Sequence, residues 1–268
     1  MATVTATSLI NRVLVSLRQP TITAFPVTDA YQLLVLEYFN QVKQEVEDST
    51  NWRALYQTIN VTIPQGGYFA AIPGTNERSR VVRAPIKGGG MSQAGYMPSL
   101  IGADNEVALV FDITSPTTQG QFGLIETPLH ELLWRVTNDN GTLTQQLTPE
   151  FFSMGMSNTD NSLLGQNELV LYVYPVVNNP RTIQVTVCVP QGDFSTNNTT
   201  LVDPLNSQNI IVPSYPILMG LQWMTREERG EELSVSNAFS EAKYREVLDD
   251  AVGIEEAEKG NELDLVLL

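Results

Sequence analysis

The chain has one cysteine, Cys188, and one histidine, His130, in 268 residues. One cysteine rules out an intrachain disulfide and the usual thiolate zinc sites. With one histidine beside it, most hydrolase triads and histidine-based metal sites cannot be assembled. No apolar run approaches the ~18 residues a membrane span needs. The start, Met1-Ala-Thr-Val-Thr-Ala-Thr-Ser8, has no basic stretch before an apolar block, so a secretory signal is not expected and the protein is expected to stay in the cytoplasm where it is made. Lys and Arg number 15 against 30 Asp and Glu, a net charge of −15. They form no cluster, so wrapping of nucleic acid by phosphate neutralisation is not expected. An acidic surface can line a path that DNA crosses without sticking, or can simply keep the protein in solution. The glycine-rich run Gly88-Gly-Gly-Met-Ser-Gln-Ala-Gly95 has Met91-Ser92 where a phosphate loop needs Lys-Ser or Lys-Thr. What survives as chemistry is a pair of carboxylates, for which Asp112, at the end of an apolar strand, is the one acid in a setting that would raise its pKa. No cofactor and no metal is expected.

What is present is a change of period along the chain. Leu9, Ile10, Val13, Leu14 and Leu17 repeat at helical spacing behind Thr7 or Ser8 as a cap, and Pro20 ends the pattern. Thr28 or Asp29 caps a longer helix to about Asp48. Its first half, Tyr31 to Phe39, is apolar on most sides and must face two layers or a neighbouring subunit. From Ala54 to Ile63 β-branched and aromatic residues take over. Pro64-Gln-Gly-Gly67 is a turn, Tyr68 to Ile72 the returning strand, and Ser79 to Ala84 another. Glu106 to Ile113 reads as a strand with Val107, Leu109, Phe111 and Ile113 on one face. Pro128 to Trp134 reads as a short helix and Pro149 to Ser153 as a single helical turn. Leu169 to Pro175 and Thr182 to Val189 are strands joined through Asn178-Asn-Pro-Arg181 as a hairpin. Ser195-Thr-Asn-Asn-Thr-Thr200 is a polar loop.

Helix then returns. Ile217, Leu221 and Met224 share a face behind Ser214 as a cap, Pro216 suits a first turn, and Gly230 is the stop. This leaves Arg226 to Arg229 in a solvated last turn. A final helix begins near Ser236 and uses Phe239, Ala242, Val247 and Ala251, with Tyr244 and Leu248 adjoining. From Arg226 onward there are thirteen acids and five bases, about half of the net charge.

The order is that of an α+β protein: N- and C-terminal helices forming a helical bundle, with a central antiparallel β domain inserted. The expected division is 1–55 with 210–258 for the bundle, 56–209 for the β-rich domain, and 259–268 for an extended C-terminal tail. In that tail Leu263, Leu265 and Leu267 alternate, and Leu265-Val-Leu-Leu268 is wholly apolar. Burying each leucine is worth ~1.5–3 kcal/mol, so a partner groove could offset the cost of ordering the segment; a frayed or self-docked terminus is the other reading. Trp52 and Trp223 are expected to pack with Ile217 and Leu221 where the two helical segments meet, while Trp134 suits core or interface. Arg226 and Arg229 could pair with Glu231 or Glu232 of a neighbouring subunit.

These segments together resemble the head-to-tail adaptor (connector) proteins of tailed bacteriophages. The resemblance rests on Tyr38-Phe-Asn-Gln-Val-Lys-Gln-Glu-Val46 followed by Asn51-Trp-Arg-Ala-Leu55, and on Thr58-Ile-Asn-Val-Thr-Ile63 returning through Gly67-Tyr68. It rests also on Val212 to Glu232, which leads into a last helix and tail. Residues 88–165 take no part in it. The resemblance implies a virion protein of the head-tail interface that is not an enzyme. It implies a homo-oligomeric ring, commonly a dodecamer, under the portal protein. Such a ring extends the channel for double-stranded DNA without binding it specifically, has no membrane contact and seats a downstream tail or nozzle protein. It implies portal binding by the tail, through Leu263, Leu265, Val266, Leu267 and Leu268. A tail-tube, tail-completion or receptor-binding virion protein is the competing expectation, and a carboxylate enzyme a third.

Overall fold

In the computed structural model the described residues are 4–23, 27–85, 106–114, 122–138, 148–157, 168–192, 209–231 and 237–266. The glycine run at 88–95 and the polar loop at 195–200 lie outside them. The chain is α+β and divides into two compact units, Met1–Leu55 with Pro190–Leu268, and Tyr56–Val189.

The first unit is helical. Helix α1 (Ala6–Ser16) is capped by Thr5, whose side chain accepts from Ser8 N at 3.2 Å. The cap precedes the expected Thr7 or Ser8 because Ala6 and Thr7 are themselves buried. Helix α2 (Ala30–Ser49) is capped as expected by Asp29, which accepts from Tyr31 N and Gln32 N, each at 3.0 Å. Its buried stripe is Val35, Leu36, Phe39, Val42 and Val46. A later helix of this unit (Ser214–Glu228, α4 below) starts without a side-chain cap, since Pro213 holds the cap position and Ser214 is the first helical residue. Pro216 has no N–H in the first turn, so a cap there would lose one of its usual donors. Its end follows the expectation. Gly230 has φ +69°, its N–H donates to Glu227 O at 2.9 Å, and Glu231 N donates to Arg226 O at 3.1 Å. That bond pair is a Schellman stop, which needs the left-handed conformation glycine tolerates.

The last helix (Glu241–Val266, α5 below) starts later than Ser236. Ser240 sets its start, accepting from Lys243 N at 3.3 Å. It also runs further than expected, so residues 259–266 are helix and not an extended tail. Period-two leucines had suggested extension. Once a helix is nucleated, each further residue adds a hydrogen bond, and Lys259, Glu262, Leu263 and Leu265 are good helix formers. The last two residues lie outside the described set. The domain boundary also moves, from 210 to 190. Asn209 bridges Thr5 and Ile210 N donates to Val4 O at 3.0 Å, which ties this stretch to the helices.

The second unit is a β-sandwich. One sheet runs β1 (Tyr56–Ile63), β11 (Arg181–Cys188), β6 (Val110–Asp112), β7 (Phe122–Gly123), with β3 (Arg80–Val81) also on β11. The other runs β2 (Phe69–Ala71), β10 (Leu169–Tyr174), β9 (Phe151–Met156), β8 (Ile125–Glu126). Strands β4 (Arg83–Pro85) and β5 (Glu106–Ala108) pair separately. All pairings are antiparallel except β8 with β9. Helix α3 (Leu129–Asn138) packs on β9 and β10. Val61, Ile63, Ile183, Val185 and Val187 of one sheet share a core with Phe152, Leu169, Leu171 and Val173 of the other.

Several sequence expectations change here. The expected hairpin of β10 and β11 is a crossing between sheets, since each strand is flanked on both sides by others and their inward residues meet in the core. Likewise β2 does not return on β1 but pairs with β10. The helical turn at Pro149–Ser153 is the start of β9, which pairs with β10 along its whole length. Pairing and burial override local preference for so short a segment. The strand from Glu106 to Ile113 breaks at Leu109, and its buried face is Ala108, Val110 and Asp112; Leu109, Phe111 and Ile113 are half-buried.

Candidate functional site

Helix α4 (Ser214–Glu228) is the hub of the helical unit and packs against α1, α2 and α5 (Glu241–Val266). Ile217 and Leu221 are fully buried. Trp223 stacks on Tyr244 of α5, with ring centroids 5.8 Å apart and planes at 17°. Trp52 is buried at the end of α2, where its indole N–H donates to Val46 O at 2.6 Å. Val46 O also accepts from the Ser49 hydroxyl at 2.7 Å.

The arginines are spent within the chain. Arg226 pairs with Glu231 at 2.6 Å and lies over the Phe239 ring, 4.4 Å from its centroid. Arg229 donates to Leu17 O at 3.0 Å, at the end of α1, where a cation meets the negative end of the helix dipole. Burial pushes the Tyr31 phenol above its usual range, against the pull of the Arg229 guanidinium. Within the chain Arg226 pairs with Glu231, because the Schellman turn at Gly230 folds Glu231 back beside it; Arg229 bonds Leu17 O, and Glu232 lies outside the described residues.

Helix α5 is anchored by buried side chains at its start, and none from Asp249 to Glu258 is buried. Tyr244, Val247 and Leu248 are buried, and Leu248 is the last buried side chain among those described. The Tyr244 hydroxyl donates to Glu45 Oε2 at 2.9 Å, and Arg245 pairs with the same carboxylate. Burial pushes the Tyr244 phenol far above its ordinary value, and the Glu45 charge adds to this. Further along, the Arg53 backbone N–H donates to Glu255 Oε1 at 2.7 Å, while its guanidinium holds Glu255 and Glu258. Glu246, Asp249, Asp250 and Glu256 are exposed, and Ile254 is 63 % exposed. Leu263, Leu265 and Val266 lie on the helical backbone of α5; Leu267 and Leu268 lie outside the described residues.

Two features of the hub escaped sequence reasoning. Lys43 and Glu47 are both fully buried, 3.2 Å apart, and Lys43 Nζ also donates to Gln191 O at 2.9 Å and Gly192 O at 3.2 Å. Their i,i+4 spacing was legible, but such pairs usually lie on a solvated face. Gly220 is the second: a Cβ there would stand 2.6 Å from Val42 Cγ1 and 2.9 Å from Tyr244 Cε2. An isolated glycine inside an apolar helical stripe is the signal that could have found it.

In the β unit, Asp112 is 3 % exposed and accepts from Thr114 N at 2.9 Å, Thr114 Oγ1 at 2.6 Å and Arg181 Nη1 at 3.3 Å. Its carboxylate thus ties β6 to the start of β11. His130 is exposed on α3 and Cys188 is buried. Trp134, which suited core or interface, is 67 % exposed. Among the described residues no group of His, Cys, Asp or Glu is placed to hold a metal ion, and no helix is long and apolar enough to cross a membrane. No protein-family model matches the chain, and no curated protein matches it in sequence.

Proposed function

We propose that the chain is a virion structural protein, a head-to-tail adaptor that forms a ring under the portal, extends the DNA channel and seats the tail. The observation that carries this reading is the helical unit built from both ends of the chain, with the β unit inserted between Leu55 and Pro190. That is the organisation the resemblance implies. The acids left exposed on α5, Glu246, Asp249, Asp250 and Glu256, suit a surface that DNA passes without binding, since like charge repels phosphate. In this reading residues 259–268 reach the portal protein, and Leu263, Leu265, Val266, Leu267 and Leu268 supply the apolar contact. The buried Trp52, Ile217 and Leu221 and the half-buried Trp223 hold the subunit rigid rather than performing chemistry.

The test is the copy number of the chain in purified virus particles, by quantitative mass spectrometry against the capsid protein. About twelve copies per particle, as a closed ring at a single vertex implies, supports the adaptor. Absence from particles overturns a structural role, and a far larger count moves the protein to a tail tube or the capsid. Truncation after Glu258 is expected to leave the helical unit folded and to abolish portal attachment.

A further inference from the structure

Strand β1 ends its sheet and has no strand on its outer side among the described residues. It pairs with β11 at every position from Tyr56 to Ile63, without a bulge. The direction of its backbone groups follows from β11. Thr186 N donates to Leu109 O, Thr186 O accepts from Val82 N, and Thr182 O accepts from Ile113 N, each at 3.0 Å. Thr182, Gln184 and Thr186 therefore turn their backbone groups away from β1. In an antiparallel ladder their partners do the same on the opposite side. Those partners are Thr62, Asn60 and Thr58. Their N–H and C=O groups face the open edge, where no described residue outside the sheet bonds them, and all of them are exposed.

Edge strands are normally blunted by shortness, lysine, proline or a bulge. The other sheet ends follow this rule: β2 has 3 residues, and β7 and β8 have 2 each. In contrast β1 has 8 residues, Tyr-Gln-Thr-Ile-Asn-Val-Thr-Ile, with no charge and no proline. We propose that this edge is a self-association surface, on which β1 pairs antiparallel with β1 of a second copy across a two-fold axis at Asn60.

The choice of occupant comes from the strand itself. Thr58-Ile-Asn-Val-Thr62 reads nearly alike in both directions. A two-fold at Asn60 sets Asn60 opposite its copy, Thr58 opposite Thr62 and Ile59 opposite Val61. The outward backbone groups of Thr58, Asn60 and Thr62 then satisfy one another reciprocally. The side-chain pairs repeat chemistry that β1 already makes with β11, where Thr58 Oγ1 is 3.3 Å from Thr186 Oγ1 and Asn60 Oδ1 accepts from Gln184 Nε2 at 3.4 Å. Ile59, which packs at the margin of the sandwich core, gains an apolar neighbour. In a chain of net charge −15 self-association is opposed by repulsion, so a contact between copies is favoured where the surface is uncharged. A two-fold contact does not close a cyclic ring. The pairing is therefore separate from the ring contacts and stands independently of the adaptor reading.

Sedimentation of the full chain over a range of concentrations tests it, together with Asn60→Lys and Asn60→Cys. The wild type is expected to pass from monomer to dimer. Asn60→Lys sets like charges face to face on the axis and is expected to weaken the dimer roughly tenfold or more, with an unchanged circular dichroism spectrum. A hydrogen-bonded antiparallel pair has its Cα atoms ~5.5 Å apart, within disulfide range, so Asn60→Cys is expected to oxidise to a covalent dimer. Gln57→Cys, off the axis, is not, and native Cys188 is buried. A monomer at all concentrations overturns the proposal. So does any oligomer that survives Asn60→Lys while Asn60→Cys fails to cross-link.

Discussion

Replacing Gly220 by alanine sets two effects against each other, and the structure decides between them. Alanine in a helix interior is favoured over glycine by about 1 kcal/mol. Against this, its methyl group would stand 2.6 Å from Val42 Cγ1 and 2.9 Å from Tyr244 Cε2. Carbon atoms rest at ~3.5–4.0 Å, so about 1 Å must be found. Neither neighbour yields cheaply. Val42 is buried and its β-branched side chain is stiff. Tyr244 is fully buried, bonded to Glu45 and stacked on Trp223. Moving α4 instead would unseat Ile217 and Leu221. Overpacking of this kind costs ~1–3 kcal/mol, so Gly220→Ala is expected to destabilise the helical unit by about 1–2 kcal/mol net. Gly220→Val should cost more, because it adds volume and forgoes the propensity gain. Urea unfolding followed by far-ultraviolet circular dichroism measures the loss, and the near-ultraviolet signal of Trp223 and Tyr244 assigns it to this unit. Val42→Ala in the Gly220→Ala background should recover part of it, since the two sites touch. If Gly220→Ala is as stable as the wild type or more so, the close approach of α4 to α2 and α5 is not a constraint and the reasoning fails.

The Tyr244 phenol is held neutral by burial and by the Glu45 carboxylate, so its folded pKa lies above the unfolded value of about 10. Its contribution is thus complete below pH 10 and is lost as pH rises beyond that; Tyr244→Phe should cost about 1–2 kcal/mol near neutrality and flatten the alkaline limb of a stability-against-pH curve. Lys43→Met leaves Glu47 buried without its cation and should cost about 3–5 kcal/mol in urea unfolding, whereas Lys43→Met combined with Glu47→Leu should cost clearly less than that single change. Arg53→Ala should speed amide hydrogen exchange over residues 251–258 by roughly two- to fivefold, leaving 241–248 unchanged, because a partly exposed ion pair contributes ~0.2–1 kcal/mol.

How much of this was legible depends on where each residue's decisive partner lies. The Asp29 cap, the Gly230 stop and the apolar stripe of α4 are set by neighbours within a turn or so, and local spacing reveals them. The partner of Lys43 is a pair of carbonyls at Gln191 and Gly192, far along the chain, and no local pattern distinguishes a buried Lys-Glu pair from a solvated one. A still longer stretch of chain separates Tyr244 from Glu45 and Arg229 from Leu17. In the β unit, strand existence was readable from β-branched alternation, but sheet membership was not. The stretch between Tyr174 and Arg181 looks like a hairpin loop because short connections usually join paired strands. Whether two inward faces belong to one sheet or to opposing sheets depends on what flanks each strand, and β10 and β11 are each flanked on both sides by other strands.

The end of α5 shows the limit most plainly. Its leucines at 263, 265 and 267 alternate as in a strand, yet the backbone is helical through Val266. From Asp249 to Glu258 the helix buries no side chain; the ion pairs of Arg53 with Glu255 and Glu258 hold this stretch. Gly253 and Gly260 each weaken the helix by about 1 kcal/mol relative to alanine. A helical segment with so little tertiary support is marginal in water. Its stability therefore rests on Arg53, on continuity with the anchored turn at Tyr244, and on whatever the apolar residues at its end meet. If that is the portal protein, ordering is partly completed before docking, and the entropic cost of binding falls accordingly. Increased protection of residues 249–258 against hydrogen exchange when portal protein is added would be the signature of that coupling, and unchanged protection would separate the helix from the docking event.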